Sequence, residues 1–245
     1  MNKKYLVIGI SLLAILFYAN SCINDENSLG QFRVDIATVD LNSDGSFSLT
    51  LDDATRLWPA ASDLNYVPMQ DQRVFVNYTI LSGAQNGYDH YIKINDIWDI
   101  LTKKAINLTE NNADSIGNDP VKVNSMWVGN DFLNVDFMFN YGGTRPHAIN
   151  LVKNTLVTPP NDGKIHLEFR HNAYESINTR LYDGFVCFDL KPLRLNNADS
   201  VQLSVKVKDW DGEKTYDLVY RYNEAALRNT YMKPSIPVIS SNEYY

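Results

Sequence analysis

Cysteine is almost missing from this 245-residue chain, which has only Cys22 and Cys187. If one of them is used elsewhere, no disulfide is possible. Basic charge is also scarce, with 22 Lys+Arg against 29 Asp+Glu. Residues 1–21 hold two lysines and no acid, so the remainder has 20 basic and 29 acidic residues, a net charge of -9. Nucleic-acid phosphates need a basic surface, so nucleic acid is excluded as a partner, and so is electrostatic adhesion to anionic lipid. Long apolar runs are absent but for one, at the front. The chain has no Gly-x-Ser-x-Gly, no His-Glu-x-x-His and no phosphate-binding P-loop. The common local signatures of hydrolases, zinc proteases and nucleotide enzymes are therefore lacking.

The single apolar run is YLVIGISLLAILFYA, residues 5–19, and it follows Lys3 and Lys4. A charged start and an h-region of this length make a secretory signal. Crossing a bilayer permanently takes about 20 apolar residues, more than are present. The run ends in Ala19-Asn20-Ser21-Cys22. Small residues just before a cysteine resemble a bacterial lipobox. A peptidase must fit small side chains beside its cut, and only a thiol yields the thioether to diacylglycerol. Each buried CH2 of such an anchor adds about 0.8 kcal/mol. Cys22 is therefore expected to carry lipid, with 1–21 a signal peptide and 22–31 a tether. Ile23 rather than Asp follows Cys22, so the inner-membrane retention residue is missing. Asp25-Glu26 resembles the acidic export signal of surface lipoproteins in some Gram-negative bacteria. The expected location is the outer membrane, anchored by lipid and facing outward. Cys187 then stands alone in the apolar run Phe185-Val186-Cys187-Phe188 and reads as a small buried hydrophobe.

Period-two alternation dominates the rest. Val34 to Ala37, Phe47 to Leu51, Val74 to Ile80 and Tyr88 to Ile94 read as strands, with a hairpin turn at Asn42-Ser43-Asp44-Gly45. Leu57 to Pro68, with two prolines, reads as irregular. From Leu101 to Asp119 the alternation lapses, and a domain boundary is expected near residue 118. Beyond it come seven more strands, Val121–Val128, Phe132–Phe139, Pro146–Val152, Lys164–Phe169, Gly184–Leu190, Val201–Val207 and Thr215–Tyr222. Turns are expected between them, including Gly129-Asn130-Asp131, Asp183-Gly184 and Asp211-Gly212. The fold class is all-β, with a small OB-like barrel at 32–118 and an immunoglobulin-like β-sandwich at 119–228. Only Asn223 to Arg228 looks briefly helical, and 229–245 reads as a disordered tail.

The early Asp44-Gly45 hairpin, the stretch DFLNVDFMFNYGGTRPHAINLV (131–152) and the stretch KIHLEFRHNAYES (164–176) resemble the NigD-like family. The resemblance spans about residues 32 to 225. It implies a lipoprotein with an N-terminal OB-type barrel and a C-terminal β-sandwich. It also suggests a link to bacteriocin immunity or export, from which no activity follows.

Four constellations of reactive residues offer alternatives. Asp40-Leu41-Asn42-Ser43-Asp44-Gly45 opens like a calcium loop, but Leu51 stands where the bidentate Glu belongs, so a plain hairpin is preferred. His166, Glu168 and Arg170 share one strand face, with Leu167, Phe169 and His171 on the other. With His147 nearby they are too few for a metal site, and Arg170-His171-Asn172 is read as capping a strand end. Asp52-Asp53 and Asp209-Trp210-Asp211 pair carboxylates, and are read as solvated loop acids rather than a glycosidase pair. Trp58, Tyr66, Tyr78, Tyr88, Tyr91 and Trp98 crowd the barrel and read chiefly as core, leaving some for a binding face. The reading is a non-enzymatic binding or accessory module for a protein, peptide or glycan, the alternative being a glycan-directed enzyme. No metal, cofactor, catalytic residue or ligand-binding residue is assigned.

Overall fold

The computed structural model of the protein describes residues 32–176, 178–222 and 243–245. The signal peptide, Cys22, the tether, the brief helix at 223–228 and most of the tail lie outside the described residues. The regular structure of the described residues is almost wholly strand.

Five strands make the barrel, β1 (Phe32–Leu41), β2 (Phe47–Leu51), β3 (Arg56–Ser62), β4 (Arg73–Ser82) and β5 (His90–Asp99). They close in the order β1-β2-β3-β5-β4. Alternation puts Ala37, Val39, Leu49, Val74, Val76, Tyr78, Ile92 and Ile94 inside, all nearly solvent-free. The β1–β2 hairpin forms as expected. Asp44 Oδ1 accepts the Ser46 amide at 2.9 Å, and Gly45 takes φ +85.

β3 departs from expectation, because Leu57 to Ser62 is not irregular. It runs antiparallel to β2 and parallel to β5, and the register shifts between Pro59 and Ala61. A bulge is one of the few places where a strand tolerates a proline, and that hides β3 from pattern reading.

Residue 100 separates β5 from β6 (Leu101–Lys104), which already belongs to the second unit. β6 pairs in parallel with β12 (Leu181–Asp189), and β7 (Ile106–Leu108) pairs in parallel with β10 (Ala148–Asn154). The switch from barrel to sandwich therefore sits at Ile100, well ahead of the expected boundary near residue 118. Two short edge strands carry too few residues to show a period.

The remaining elements are helix α1 (Ala113–Ile116) and strands β8 (Lys122–Gly129), β9 (Phe132–Asn140), β11 (Ile165–Asn172), β13 (Ser200–Asp209) and β14 (Gly212–Arg221). One sheet runs β14-β13-β11-β10-β7 and the other β6-β12-β9-β8. Leu133, Val135, Phe137 and Phe139 alternate inward from β9 and meet Leu167, Phe169, Leu203 and Val205 from the facing sheet. A fully buried ring of this kind contributes about 1.5–3 kcal/mol. Asn130 and Asp131, at φ 42 and 68, make the tight β8–β9 turn. Asp183-Gly184 is not a turn but lies inside β12. A Cβ on Gly184 would sit 2.4 Å from Phe137 Cζ, so glycine is there to admit the ring.

The tail also departs from expectation at its end. Glu243–Tyr245 run along the start of β10, and Tyr244 joins the sandwich core.

Candidate functional site

The barrel and sandwich meet in a buried polar seam. Arg73 opens β4 and is fully buried. Its Nη2 donates to Asp52 Oδ1 at 2.5 Å and to Asn134 Oδ1 at 3.2 Å, while Nη1 donates to Thr38 Oγ1 at 2.9 Å. The other Asp52 oxygen accepts Asn134 Nδ2 at 3.0 Å and Trp127 Nε1 at 3.4 Å. Asp52 is thus no solvated loop acid, because side chains 75 and 82 residues away enclose it. Gly129 comes so close that a Cβ there would lie 2.5 Å from the carboxylate. Around this centre pack Ile36, Phe75, Ile100, Phe132, Phe185 and Cys187. Burial works against the Arg73 charge, but the Asp52 carboxylate outweighs it and holds the guanidinium firmly protonated. Burial pushes the Cys187 thiol up to about 12. With no solvent path and a fixed ion pair, the seam fastens two domains together and has no room for a substrate.

Among the described residues two open surfaces bear on binding. One is a cleft of about 790 Å³ on the outer side of the five-stranded sheet, roofed by the β10–β11 loop with Pro159 and Pro160. Lys153, Lys164, Lys206, His166 and Glu168 line it. Its volume is in the range of small-ligand sites. Its one acid, Glu168, is held by Arg170 Nε at 2.6 Å and Asn154 Nδ2 at 2.9 Å. The second is an aromatic cluster on the barrel. The Trp58 and Tyr88 rings are 5.0 Å apart, Tyr91 lies 6.4 Å from Trp58, and Arg56 sits 4.7 Å from the Tyr88 centroid. All three rings are half-buried.

Comparison with known proteins fits this architecture. The family profile described as the NigD-like N-terminal OB domain matches residues 36–100, and the NigD-like C-terminal beta sandwich domain matches 104–220. The chain belongs to the NigD-like family. Among solved structures it is similar to a protein from Parabacteroides distasonis described as toxin-related. That pair is 36% identical, covers 79% of this chain and 96% of the other, and has a TM-score of 0.69. A NigD-like immunity protein from Bacteroides caccae is 20% identical over 78% and 97% of the two chains, at TM-score 0.60. A protein described as a lipoprotein from Bacteroides fragilis is 11% identical over 79% and 99%, at TM-score 0.55. No curated protein matches.

The remaining NigD-like candidates separate once the strands are placed. In the Asp40–Gly45 hairpin, Asp40 Oδ2 accepts Thr50 Oγ1 at 2.6 Å, and Asp44 is used by Ser46. Asp209 is buried and accepts Lys214 Nζ at 3.0 Å and Lys122 Nζ at 3.5 Å, so it too is not solvated. Burial alone would raise its pKa, but Lys214, nearby amides and Lys122 outweigh that and hold it low.

His166 and Glu168 face outward into the cleft, while His171 faces inward and reaches His147. Arg170 pairs with Glu168 on its own strand and donates to the Gly117 carbonyl at 3.4 Å. Asn172, the last residue of β11, accepts the Tyr174 amide at 2.8 Å and donates to the Asp114 and Ser115 carbonyls of α1. Arg170 and Asn172 therefore do cap the strand end through backbone groups, and only His171 turns inward. Among the described residues no group of three or more His, Cys, Asp or Glu is placed to hold a metal. Of the aromatics, Tyr78 is core and its hydroxyl donates to Asp35, Tyr66 donates to Asp99, and Trp98 is 49% exposed. Sequence reasoning missed Arg73, Asn134 and Tyr244. Each looks ordinary locally and gains its role only from distant partners.

Proposed function

We propose that this NigD-like protein is a non-enzymatic binding or accessory module, held by lipid on Cys22 at the outer membrane. The observation that carries this reading is the state of the carboxylates. Asp52 and Asp209 are bound into internal ion pairs, and the cleft holds a single acid already bridged by Arg170 and Asn154. Glycoside hydrolysis by the usual route needs two acids across an open cleft, and the cleft lacks that pair. The names of two similar proteins, one toxin-related and one an immunity protein, support a protein or peptide partner. The anchor is supported by the signal-like leader ending at Cys22 and by the neighbour described as a lipoprotein. No helix among the described residues is long and apolar enough to cross a membrane.

Affinity capture of the acylated protein from native membranes, read by mass spectrometry, tests the partner. A specific envelope protein or peptide is expected, and recovery of bulk envelope proteins alone refutes it. Intact mass and membrane fractionation of wild type against Cys22→Ala test the anchor. An unmodified Cys22, or unchanged fractionation in the variant, refutes it.

The Trp58–Tyr88–Tyr91 cluster favours a second reading, a glycan partner stacked on the barrel. Glycan binding that survives Trp58→Ala rules that surface out.

A further inference from the structure

The slot at the start of β10 holds a segment that is remote in sequence. Twenty residues, 223–242, separate Tyr222 from Glu243. Glu243 O accepts the His147 amide at 2.7 Å, Tyr245 N donates to His147 O at 2.8 Å, and Tyr245 O accepts the Ile149 amide at 2.8 Å. Between them Tyr244 inserts and is only 5% exposed. Its ring centroid lies 5.7 Å from that of Phe137 and 5.9 Å from that of Phe139. Its hydroxyl accepts the Phe185 amide at 2.9 Å and donates to the Phe185 carbonyl at 2.8 Å. Outside the slot, Tyr245 Oη meets Tyr174 Oη at 2.9 Å.

The walls are independent of the occupant. Phe137 and Phe139 belong to β9 and Phe185 to β12, strands paired to each other along their whole length. An extended segment that adds to a sheet edge and sinks one side chain into a pocket is a general mode of peptide recognition. We propose that this slot is a strand-acceptor site, and that the Glu243–Tyr245 segment of a second copy of this chain can fill it in place of the chain's own. The segment seated in the slot is this chain's own sequence, and residues 223–242 join it covalently to β14. Twenty residues fully extended reach about 66–72 Å, about twice the span of a ten-residue strand. A covalent connection raises the effective concentration of a segment at its site, to the millimolar range for short linkers. The intramolecular segment therefore wins in dilute protein, and exchange becomes visible when one copy lacks its own segment. This inference goes beyond the proposed function and stands without it.

The test mixes two differently tagged chains, one of full length and one ending at Asn242. A fluorescent peptide ISSNEYY, residues 239–245, serves as the probe. The shortened chain is expected to bind the peptide saturably. Binding falls at least ten-fold with Ala in place of Tyr244 in the peptide, and at least ten-fold against the intact chain, whose own segment competes. The shortened chain is also expected to form a 1:1 complex with the intact chain, and not with its Tyr244→Ala variant. A shortened chain with unchanged circular dichroism that ignores the peptide overturns the acceptor site. So does equal binding of the two peptides. Peptide binding without a mixed complex overturns the second copy as occupant. If the shortened chain does not fold, full-length Tyr244→Ala serves as acceptor. Binding of the wild-type peptide then supports the site, and no binding overturns it.

Discussion

Two buried polar clusters, one at the domain seam and one inside the sandwich, avoid an uncompensated charge by opposite means. At the seam, the Arg73 guanidinium and the Asp52 carboxylate pair at 2.5 Å, and Asn134, Thr38 and Trp127 add hydrogen bonds to them. In the sandwich, His147 and His171 carry no charge. Their facing nitrogens, Nδ1 and Nε2, are 2.8 Å apart, and His147 Nε2 lies 3.0 Å from the Ser176 carbonyl oxygen. The carbonyl can only accept, so His147 Nε2 bears the proton and His171 Nε2 donates to His147 Nδ1. Burial lowers both pKa values, His171 to about 4, where the neighbouring His147 adds to the effect and Asp119 opposes it. A paired charge fails when one partner is removed. A neutral pair fails when a proton is added.

The largest expected effect is at the seam. Arg73→Leu strands the Asp52 carboxylate among apolar groups and is expected to cost about 3–5 kcal/mol. Urea unfolding measures it, and the double variant Arg73→Leu, Asp52→Leu is expected to recover a large part. A double variant no more stable than the single one would show that packing, not the stranded charge, sets the cost.

The histidine pair responds to acid instead. Its folded pKa values lie below the unfolded value of about 6.5, so its contribution is complete above that pH. It is lost as the pH falls from there toward about 4. A shift of this size in His171 amounts to about 3–4 kcal/mol. His171→Gln keeps a donor but cannot titrate, so thermal stability should fall less steeply between these two pH values. An unchanged slope would place the acid sensitivity elsewhere. Gly129→Ala sharpens the same contrast sterically. Its methyl would press on the Asp52 carboxylate at 2.5 Å, and overpacking of this kind costs about 1–3 kcal/mol. The variant's pH profile should keep the wild-type shape while the whole curve drops.

What the sequence disclosed follows the same division between local and distant causes. The alternation of Leu133, Val135, Phe137 and Phe139 is local, and those side chains do line one face. The Asp44-Gly45 and Asn130-Asp131 turns are local too, because a positive φ has a residue signature. Asp52 could not be read. Beside Asp53 it resembles any turn acid, and its burial comes from Trp127 and Asn134 on another domain. β6 and β7 were hidden because their partners, β12 and β10, lie far along the chain. The alternation alone puts Leu167 and His171 on one face. That His147 completes the pair depends on the β10–β11 register, which no short pattern carries.

The smallest expected effect comes from Cys187. It belongs to the seam and is fully buried. Its Sγ donates weakly to Asn134 Oδ1 at 3.1 Å, an oxygen that Arg73 Nη2 also reaches at 3.2 Å. Removing the sulfur therefore leaves no orphaned group, and Cys187→Ala is expected to cost about 0.5–1.5 kcal/mol. Its chemistry is a better probe than its energy. A thiolate is the reactive form, and burial holds this thiol up at about 12. In a Cys22→Ala background, a thiol reagent should leave native protein untouched at neutral pH and titrate one thiol after denaturation. Adding Arg73→Leu should speed native labelling at neutral pH, because opening the seam is the step that exposes Cys187, whereas His171→Gln should leave the labelling rate at neutral pH unchanged. Fast labelling of the unaltered native seam would mean that it opens to water, and the contrast between a sealed ion pair and a titratable neutral pair would not hold.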